Sequence, residues 1–225
     1  MLRPMRILAL GLAALVSFSL ACATLGSEST DASGLKEALR IATERAVQSI
    51  SRTDGFLENP KIRIGLPGVL GKMAKGLRAI GMRGQMDELE LAMNRAAEKA
   101  AGEATPIFVD SISQMTFQDA AAIVTGGDTA ATDYFERTTS EPLRLRFRPI
   151  VEQATQNVGL AKQYDQLISR YTAIPFASKP KLDLPGFVTD RTLAGLFSVI
   201  GEEEKKIRTN PAARTTELLR QVFGR

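Results

Sequence analysis

Residues 86–100, MDELELAMNRAAEKA, decide the fold class of this chain. Apolar side chains recur there every three or four positions, at Met86, Leu89, Met93, Ala97 and Ala100. This spacing places them on one face of an α-helix, because a helix completes a turn every 3.6 residues. The stretch is therefore predicted to be an amphipathic helix that buries one side against the rest of the domain.

The same period extends to both sides of this stretch. Before it, positions 35, 39, 42, 46 and 50 form one apolar stripe, with Asp31 or Ser33 as the N-cap and Asp54-Gly55 as the stop. A second helix is predicted from Val69 to Ile80. Residues 61–67 alternate apolar and polar side chains, which allows a short extended segment, but a single strand cannot form a sheet.

After it, turn signals divide the chain into further helices. Thr116-x-x-Asp119 predicts a capping box, and Gly126-Gly127-Asp128 predicts a turn before a helix that ends near Thr139. Ser140-Glu141-Pro142 predicts the start of another helix. Later helices are predicted from 160 to 171, from 189 to 208, and after Asn210-Pro211. About nine helices and almost no strand signal predict an all-α fold, with one multi-helix domain over residues 34–225.

Composition removes whole classes of chemistry. The 225 residues contain no His, no Trp and one Cys. No catalytic pair that needs an imidazole can form, and His-ligated metal sites are excluded for the same reason. One Cys cannot close a disulfide within the chain. We therefore expect no metal and no cofactor, and a fold that depends on its apolar core.

The first residues have the composition of a secretory signal peptide. Arg3 and Arg6 precede an uncharged run from Ile7 to Leu20, and the sequence then turns polar. A basic start, a short apolar run and small residues at a cleavage point are typical of such a peptide, and the run is too short to span a membrane. Export to the periplasm, or to the periplasmic face of the outer membrane, is the expectation.

Two cleavage sites remain open. Ser19-Leu20-Ala21-Cys22 resembles the bacterial lipobox, although its first position holds Ser19 where Leu is usual; Cys22 would then carry lipid at the mature N-terminus. Alternatively Ala21-x-Ala23 is an ordinary signal-peptidase site. Residues 1–22 are predicted as the signal peptide and 23–33 as a polar, flexible tether. Loss of Arg3 and Arg6 lowers the formal net charge from +4 to +2, so no nucleic-acid partner is expected, and membrane contact is expected only through the anchor.

The most favourable position for a polar site is the helix after Gly126-Gly127. Asp128 is expected to cap it, Asp133 and Arg137 to form an i, i+4 pair, and Tyr134 and Thr138 to share a face. Two further candidate residues, Asn94 and Arg95, could join from another helix. The alternative is that Asn94 and Arg95 tie their helix to a neighbouring loop.

Two charged runs are interpreted as surface features. Glu202-Glu203-Glu204 is predicted to lie on a solvated helix face, with ion pairs Glu202–Lys206 and Glu204–Arg208. The residues Arg144, Arg146 and Arg148 alternate with apolar residues. They are predicted to be ion-paired, solvated helix positions, with contact to anionic lipid headgroups as the alternative.

Several strings together resemble the bacterial domain-of-unknown-function family 4197. The strings are residues 54–60 (DGFLENP), 93–98 (MNRAAE), 125–135 (TGGDTAATDYF), 147–151 (FRPIV) and 201–211 (GEEEKKIRTNP). The likeness covers nearly everything from Gly34 to Gly224. It implies an exported helical protein of Gram-negative bacteria, and it implies no activity, so no catalytic residue is carried over.

These observations favour a non-enzymatic envelope protein that acts through protein or lipid partners. The alternative is a protein that binds an apolar small molecule or lipid between its helices. A hydrolase that uses carboxylates or Tyr134 is the third hypothesis.

Overall fold

A computed structural model describes residues 21–68, 70–71, 79, 81–157, 160–173, 182–213, 217 and 220. Within them the chain is all-helical and forms a single domain. The helices are α1 (Ala21–Ser51), α2 (Arg83–Ala101), α3 (Thr105–Gln114), α4 (Phe117–Thr125), α5 (Ala130–Asn157), α6 (Leu160–Thr172) and α7 (Leu184–Thr209), followed by a 3₁₀ turn, Pro211–Ala213. The all-α prediction is confirmed. No described helix has the length and apolarity needed to cross a membrane.

Helices α2, α5 and α7 pack against one another at the centre, and α1 lies against α3 and α7. The stripe predicted over residues 86–100 is buried, and the alanines on that face of α2 let its backbone approach its neighbours. The ring of Phe108 meets those of Phe135 and Phe197 edge-to-face, with centroids 5.2 and 6.4 Å apart. This aromatic contact joins α3, α5 and α7 in one core.

Local signals placed several helix boundaries correctly. The hydroxyl of Thr116 accepts a hydrogen bond from the N–H of Asp119, and the Asp119 carboxylate accepts one from the N–H of Thr116, so the predicted capping box is present at the start of α4. α1 ends at Ser51, shortly before the predicted stop at Asp54-Gly55, where the backbone of Asp54 has φ 67°, a left-handed conformation. No strand is present in the described ranges, and residues 63–67 are neither helical nor turn.

The number and extent of the helices differ from expectation. The two helices predicted on either side of Ser140 are one, α5, with Pro142 and Pro149 inside it. Ser140 does not cap a new helix; its hydroxyl donates to the carbonyl of Glu136, one turn back. Both prolines are exposed, so solvent can reach the carbonyls that they leave unpaired, while burial of Phe147 and its neighbours holds the two halves together.

α1 is longer than its apolar stripe predicts. It begins at Ala21, ahead of the expected caps Asp31 and Ser33, so the backbone of residues 23–33 is helical. From Ser33 onward, where burial is described, the first buried residue is Leu35. Residues 1–20 of the predicted signal peptide lie outside the described part of the structure. Most of the predicted Val69–Ile80 helix and of the last helix also lie outside them.

Candidate functional site

A groove of about 560 Å³ lies between α3, the start of α4 and the first half of α5. We call it the α3–α5 groove. Pro106, Ile107 and Pro142 form its apolar part. Three of the candidate residues from the sequence, Tyr134, Arg137 and Thr138, line this groove. The other polar side chains considered below are Asp110, Ser111, Gln114 and Asp119.

Tyr134 is held by bonds inside the protein. The residue is 5% exposed, and its hydroxyl donates to the main-chain carbonyl of Ser111 at 2.9 Å. Thr138 lies one turn further along α5, where its hydroxyl is 2.8 Å from that of Ser111 and donates to the carbonyl of Tyr134. These bonds fasten α5 to α3. They also occupy the Tyr134 hydroxyl proton, which a catalytic tyrosine would need to transfer.

Arg137 and Asp119 form the charged rim of the groove. The Arg137 guanidinium lies over the ring of Tyr134, 5.5 Å from its centroid, and 3.6 Å from a carboxylate oxygen of Asp119. Hydrogen bonds from the hydroxyl and the N–H of Thr116, together with the positive charge of Arg137, hold the pKa of Asp119 below its ordinary value. Asp119 is therefore an ionised acceptor at neutral pH and does not act as a proton donor.

Asp110 completes the groove on the α3 side. Its carboxylate accepts a hydrogen bond from the side-chain amide of Gln114 at 2.8 Å, one helical turn away. Both residues are exposed. The groove thus combines an apolar floor with a rim of fixed polar groups, an arrangement suited to recognition.

Asp128 and Asp133 do not belong to this groove. Asp128 is exposed and its carboxylate is 3.8 Å from the ammonium of Lys205. Asp133 lies in a different, open depression beside α7. The predicted Asp133–Arg137 pair is wrong: in the described residues Arg137 pairs with Asp119 across the groove, because the two helices bring that carboxylate against the Tyr134 face.

The predicted cap at the start of α5 is wrong as well. The backbone N–H groups in the first turn of α5 bind the carboxylate of Glu204, a residue of α7. This carboxylate accepts hydrogen bonds from the N–H groups of Ala131 and Thr132, both at 2.8 Å, and from the Thr132 hydroxyl at 2.7 Å. Asp128 is excluded from that position because a buried carboxylate from α7 already fills it.

Glu204 therefore contradicts the interpretation of 202–204 as a solvated face. The residue is 7% exposed and pairs with Arg208 at 2.7 Å, as the i, i+4 spacing predicts; Arg208 also donates to the carbonyl of Ile123 in α4. Its neighbours behave differently: Glu202 pairs with Lys61 and not with Lys206. The signal for burial is present in the sequence, since Glu204 lies four residues after Ile200 on the buried stripe of α7.

Within residues 202–204, Glu203 is the residue that pairs with Lys206. Its carboxylate accepts a hydrogen bond from the Lys206 ammonium at 2.6 Å, and both side chains are exposed to solvent. The acidic run therefore contains two surface carboxylates and one buried one, because only every third or fourth position of α7 faces the core.

Asn94 and Arg95 lie in a second polar cluster and do not reach the α3–α5 groove. The Asn94 side chain accepts from the N–H of Ile64 and donates to its carbonyl, both at 2.9 Å. Arg95 bridges Asp54 and Glu98, both at 2.7 Å. Asn94 and Arg95 thus tie α2 to the loop that precedes it, which was the alternative hypothesis for them.

Glu98 was missed by the sequence reasoning. It is 3% exposed and accepts hydrogen bonds from the N–H groups of Phe56 at 3.1 Å and Leu57 at 3.3 Å. Like Glu204, it is a buried carboxylate that pairs with an arginine on its own helix and binds two backbone amides of a distant segment. These two clusters stabilise the fold.

The three arginines of α5 are ion-paired, as predicted. Arg144 pairs with Glu141 and Asp190, and Arg148 with Glu152 and Asp183. Arg146 pairs with Glu103. These pairs connect α5 to α7 and to the end of α2, and their exposure makes each of them worth little by itself.

The described residues offer little room for a metal ion or for a ligand enclosed in the core. They contain no group of three potential metal ligands. The enclosed apolar pocket between α1, α5 and α7 has a volume of about 20 Å³, which holds about one water molecule. A lipid or apolar small molecule does not fit there. The Cys22 side chain lies outside the described part of the structure.

The model of a protein family described as a protein of unknown function (DUF4197) matches residues 26–224, nearly the whole chain. No curated protein and no solved structure shows significant similarity to the chain.

Proposed function

The chain belongs to the DUF4197 family of proteins of unknown function, and we propose that it is a non-enzymatic helical protein of the bacterial envelope that binds a protein partner in the α3–α5 groove. Export rests on the composition of residues 1–22, and attachment to the membrane through Cys22 is part of the proposal. The partner is an extended protein segment that carries a basic side chain.

The groove carries this proposal. Its apolar floor of Pro106, Ile107 and Pro142 offers contact area, and its exposed carboxylate, Asp110, is bonded only to an amide in the described structure. Asp119 already faces a guanidinium, so Asp110 is the position at which a basic side chain of the partner would gain most.

The two other hypotheses receive less support. Tyr134 donates its hydroxyl proton to a backbone carbonyl, and the lowered pKa of Asp119 makes its carboxylate a weak base and a poor proton donor at neutral pH. The enclosed apolar pocket of about 20 Å³ is too small for a lipid chain.

Site-specific photo-crosslinking in intact cells tests the partner proposal. A photoreactive side chain at Gln114, in the groove, should capture a discrete envelope protein, and Asp110→Lys should reduce the yield severalfold by charge repulsion. A photoreactive side chain at Ser169, an exposed position on α6, is the matched control. Equal products from Gln114 and Ser169, or none from Gln114, would exclude the groove as the partner site.

The mass of the mature N-terminus tests the anchor. A diacylated or triacylated Cys22 is expected, and Cys22→Ala should release the protein from the membrane fraction. An unmodified N-terminus after residue 23 would refute lipidation and leave the periplasmic location intact.

A further inference from the structure

A second groove lies on another part of the molecule, between α7 and the loop after α1. Its volume is about 260 Å³. One wall is made by Arg191, Ala194, Gly195 and Ser198, which are three or four residues apart and share one face of α7. The other wall is residues 61–64. We call it the basic groove.

Its shape follows from a close contact between the loop and the helix. A side chain on Gly195 would place a Cβ 2.7 Å from the ring of Phe56 and 3.2 Å from Ile62, so the loop rests directly on the backbone of α7. Ala194 and Ser198 on either side are small and exposed, and they leave the space of the groove open. This contact brings Lys61 and Arg63 to the same groove as Arg191.

The residues that line the basic groove include positively charged side chains and no acidic ones. Its residues include Lys61, Arg63 and Arg191 and no carboxylate. Lys61 and Arg63 have acidic partners, Glu202 at 2.8 Å and Glu90 at 2.6 Å, that do not line the groove. More than half of each cationic side chain is exposed in these pairs, and such pairs contribute little net energy, so an added anion can compete with them.

Arg191 differs from the other two. Its guanidinium lies over the ring of Phe187, 5.7 Å from the centroid, and no carboxylate lies within 4 Å of it among the described residues. Stacking on a ring fixes the plane of a guanidinium while its N–H groups remain able to donate two parallel hydrogen bonds to an oxyanion.

We propose that the basic groove binds a phosphate group, supplied either by a dissolved phosphate or by the headgroup of an anionic phospholipid. Three cations around a space of this size match a multiply charged oxyanion better than a single carboxylate. This binding goes beyond the proposed function, because it uses neither the α3–α5 groove nor a protein partner.

Calorimetric titration of the full chain with inorganic phosphate at constant ionic strength tests the proposal. Saturable binding is expected in the millimolar range, weakened about tenfold in Arg191→Gln, with acetate unable to displace phosphate. Arg83→Gln is the control: it makes the same charge change at a side chain that is 82% exposed and does not line the groove. Urea unfolding of each variant confirms that the fold is retained.

The outcomes separate clearly. Absence of saturable binding, or equal weakening in the Arg191 and Arg83 variants, would overturn the proposal, because general charge would then explain the effect. Vesicles of phosphatidylcholine with and without phosphatidylglycerol identify the source. If the protein binds the anionic vesicles more strongly and Arg191→Gln abolishes this difference, the phosphate is that of a lipid headgroup. If the protein binds free phosphate but does not prefer the anionic vesicles, the phosphate is a solute. Any lipid anchor is common to all variants and does not affect the comparison.

Discussion

Replacement of Glu204 by Gln tests the main structural conclusion, that the buried Glu204–Arg208 ion pair joins α4, α5 and α7. Five hydrogen bonds converge on this carboxylate. Its Oε1 accepts from the Ala131 N–H and twice from Arg208, and its Oε2 accepts from the N–H and the hydroxyl of Thr132. In Glu204→Gln an NH₂ group takes the place of one oxygen. At least two of the five bonds are then lost, because the N–H and O–H groups that donated to that oxygen face another hydrogen-bond donor.

The expected cost follows from this geometry. A hydrogen bond to a charged group contributes about 1.5–3 kcal/mol, and breaking a buried ion pair costs about 3–5 kcal/mol. The Glu204 and Arg208 side chains are 7% and 11% exposed, so water cannot replace the lost partner. We expect the free energy of unfolding to fall by about 4 kcal/mol, a large part of the total of about 5–15 kcal/mol for a domain.

Urea unfolding followed by circular dichroism at 222 nm measures this change. With a slope of about 2–3 kcal/mol per molar urea, the midpoint should fall by about 1.3–2 M. Glu203→Gln is the matched control, because Glu203 is the neighbouring acid and pairs with Lys206 at the exposed surface; it should cost less than about 0.5 kcal/mol. Arg208→Gln combined with Glu204→Gln should cost less than the sum of the single changes.

The reasoning would be refuted if Glu204→Gln remained within about 0.5 kcal/mol of the parent, or if Glu203→Gln cost as much. Either result would mean that Glu204 acts as an ordinary surface charge. An additive double variant would mean that the carboxylate and Arg208 do not interact.

Three further tests, each by thermal or urea unfolding, concern separate contacts. Gly195→Ala should destabilise by about 1–3 kcal/mol, whereas Gly201→Ala, whose new Cβ lies 3.6 Å from its nearest neighbour, should be neutral or stabilising by up to about 1 kcal/mol; equal effects contradict the close contact. Thr189→Val should not destabilise, because that buried hydroxyl has no partner in the described residues, whereas Thr192→Val should cost about 1 kcal/mol. The pKa of Asp119 is lowered in the folded state, so its contribution to the free energy of unfolding is full above the unfolded-state pKa of about 4 and is lost as pH falls through the folded-state pKa. Asp119→Asn should therefore make the free energy of unfolding fall less steeply at acid pH. An unchanged slope contradicts this.

The amino-acid pattern predicted the helices wherever the signal was local. The stripe over residues 86–100 is α2, and Thr116-x-x-Asp119 begins α4 with its capping box. The restart at Ser140 was wrong, because turn signals and prolines describe local preferences, and burial of Phe147 and its neighbours overrides them. In the candidate site, Tyr134, Arg137 and Thr138 were predicted together since they are within two turns of one helix.

The remaining site partners depend on long-range geometry. Nothing in the sequence near Tyr134 indicates that its hydroxyl binds Ser111, or that Arg137 faces Asp119 and not Asp133. Asn94 and Arg95 also bind partners 30 and 41 residues away, Ile64 and Asp54, in the loop after α1.

The sequence by itself therefore determined the all-α class, the faces of its helices and the exclusion of imidazole chemistry, since these depend on composition and on a period of 3.6 residues. Only the tertiary structure decided which partners satisfy the buried charges. The position of Glu204 on the apolar stripe of α7 indicates burial, but a carboxylate such as Glu98 or Glu204 is stable in the interior only because backbone amides of a packed neighbouring segment and an arginine of its own helix surround it. That arrangement exists only after the helices have come together.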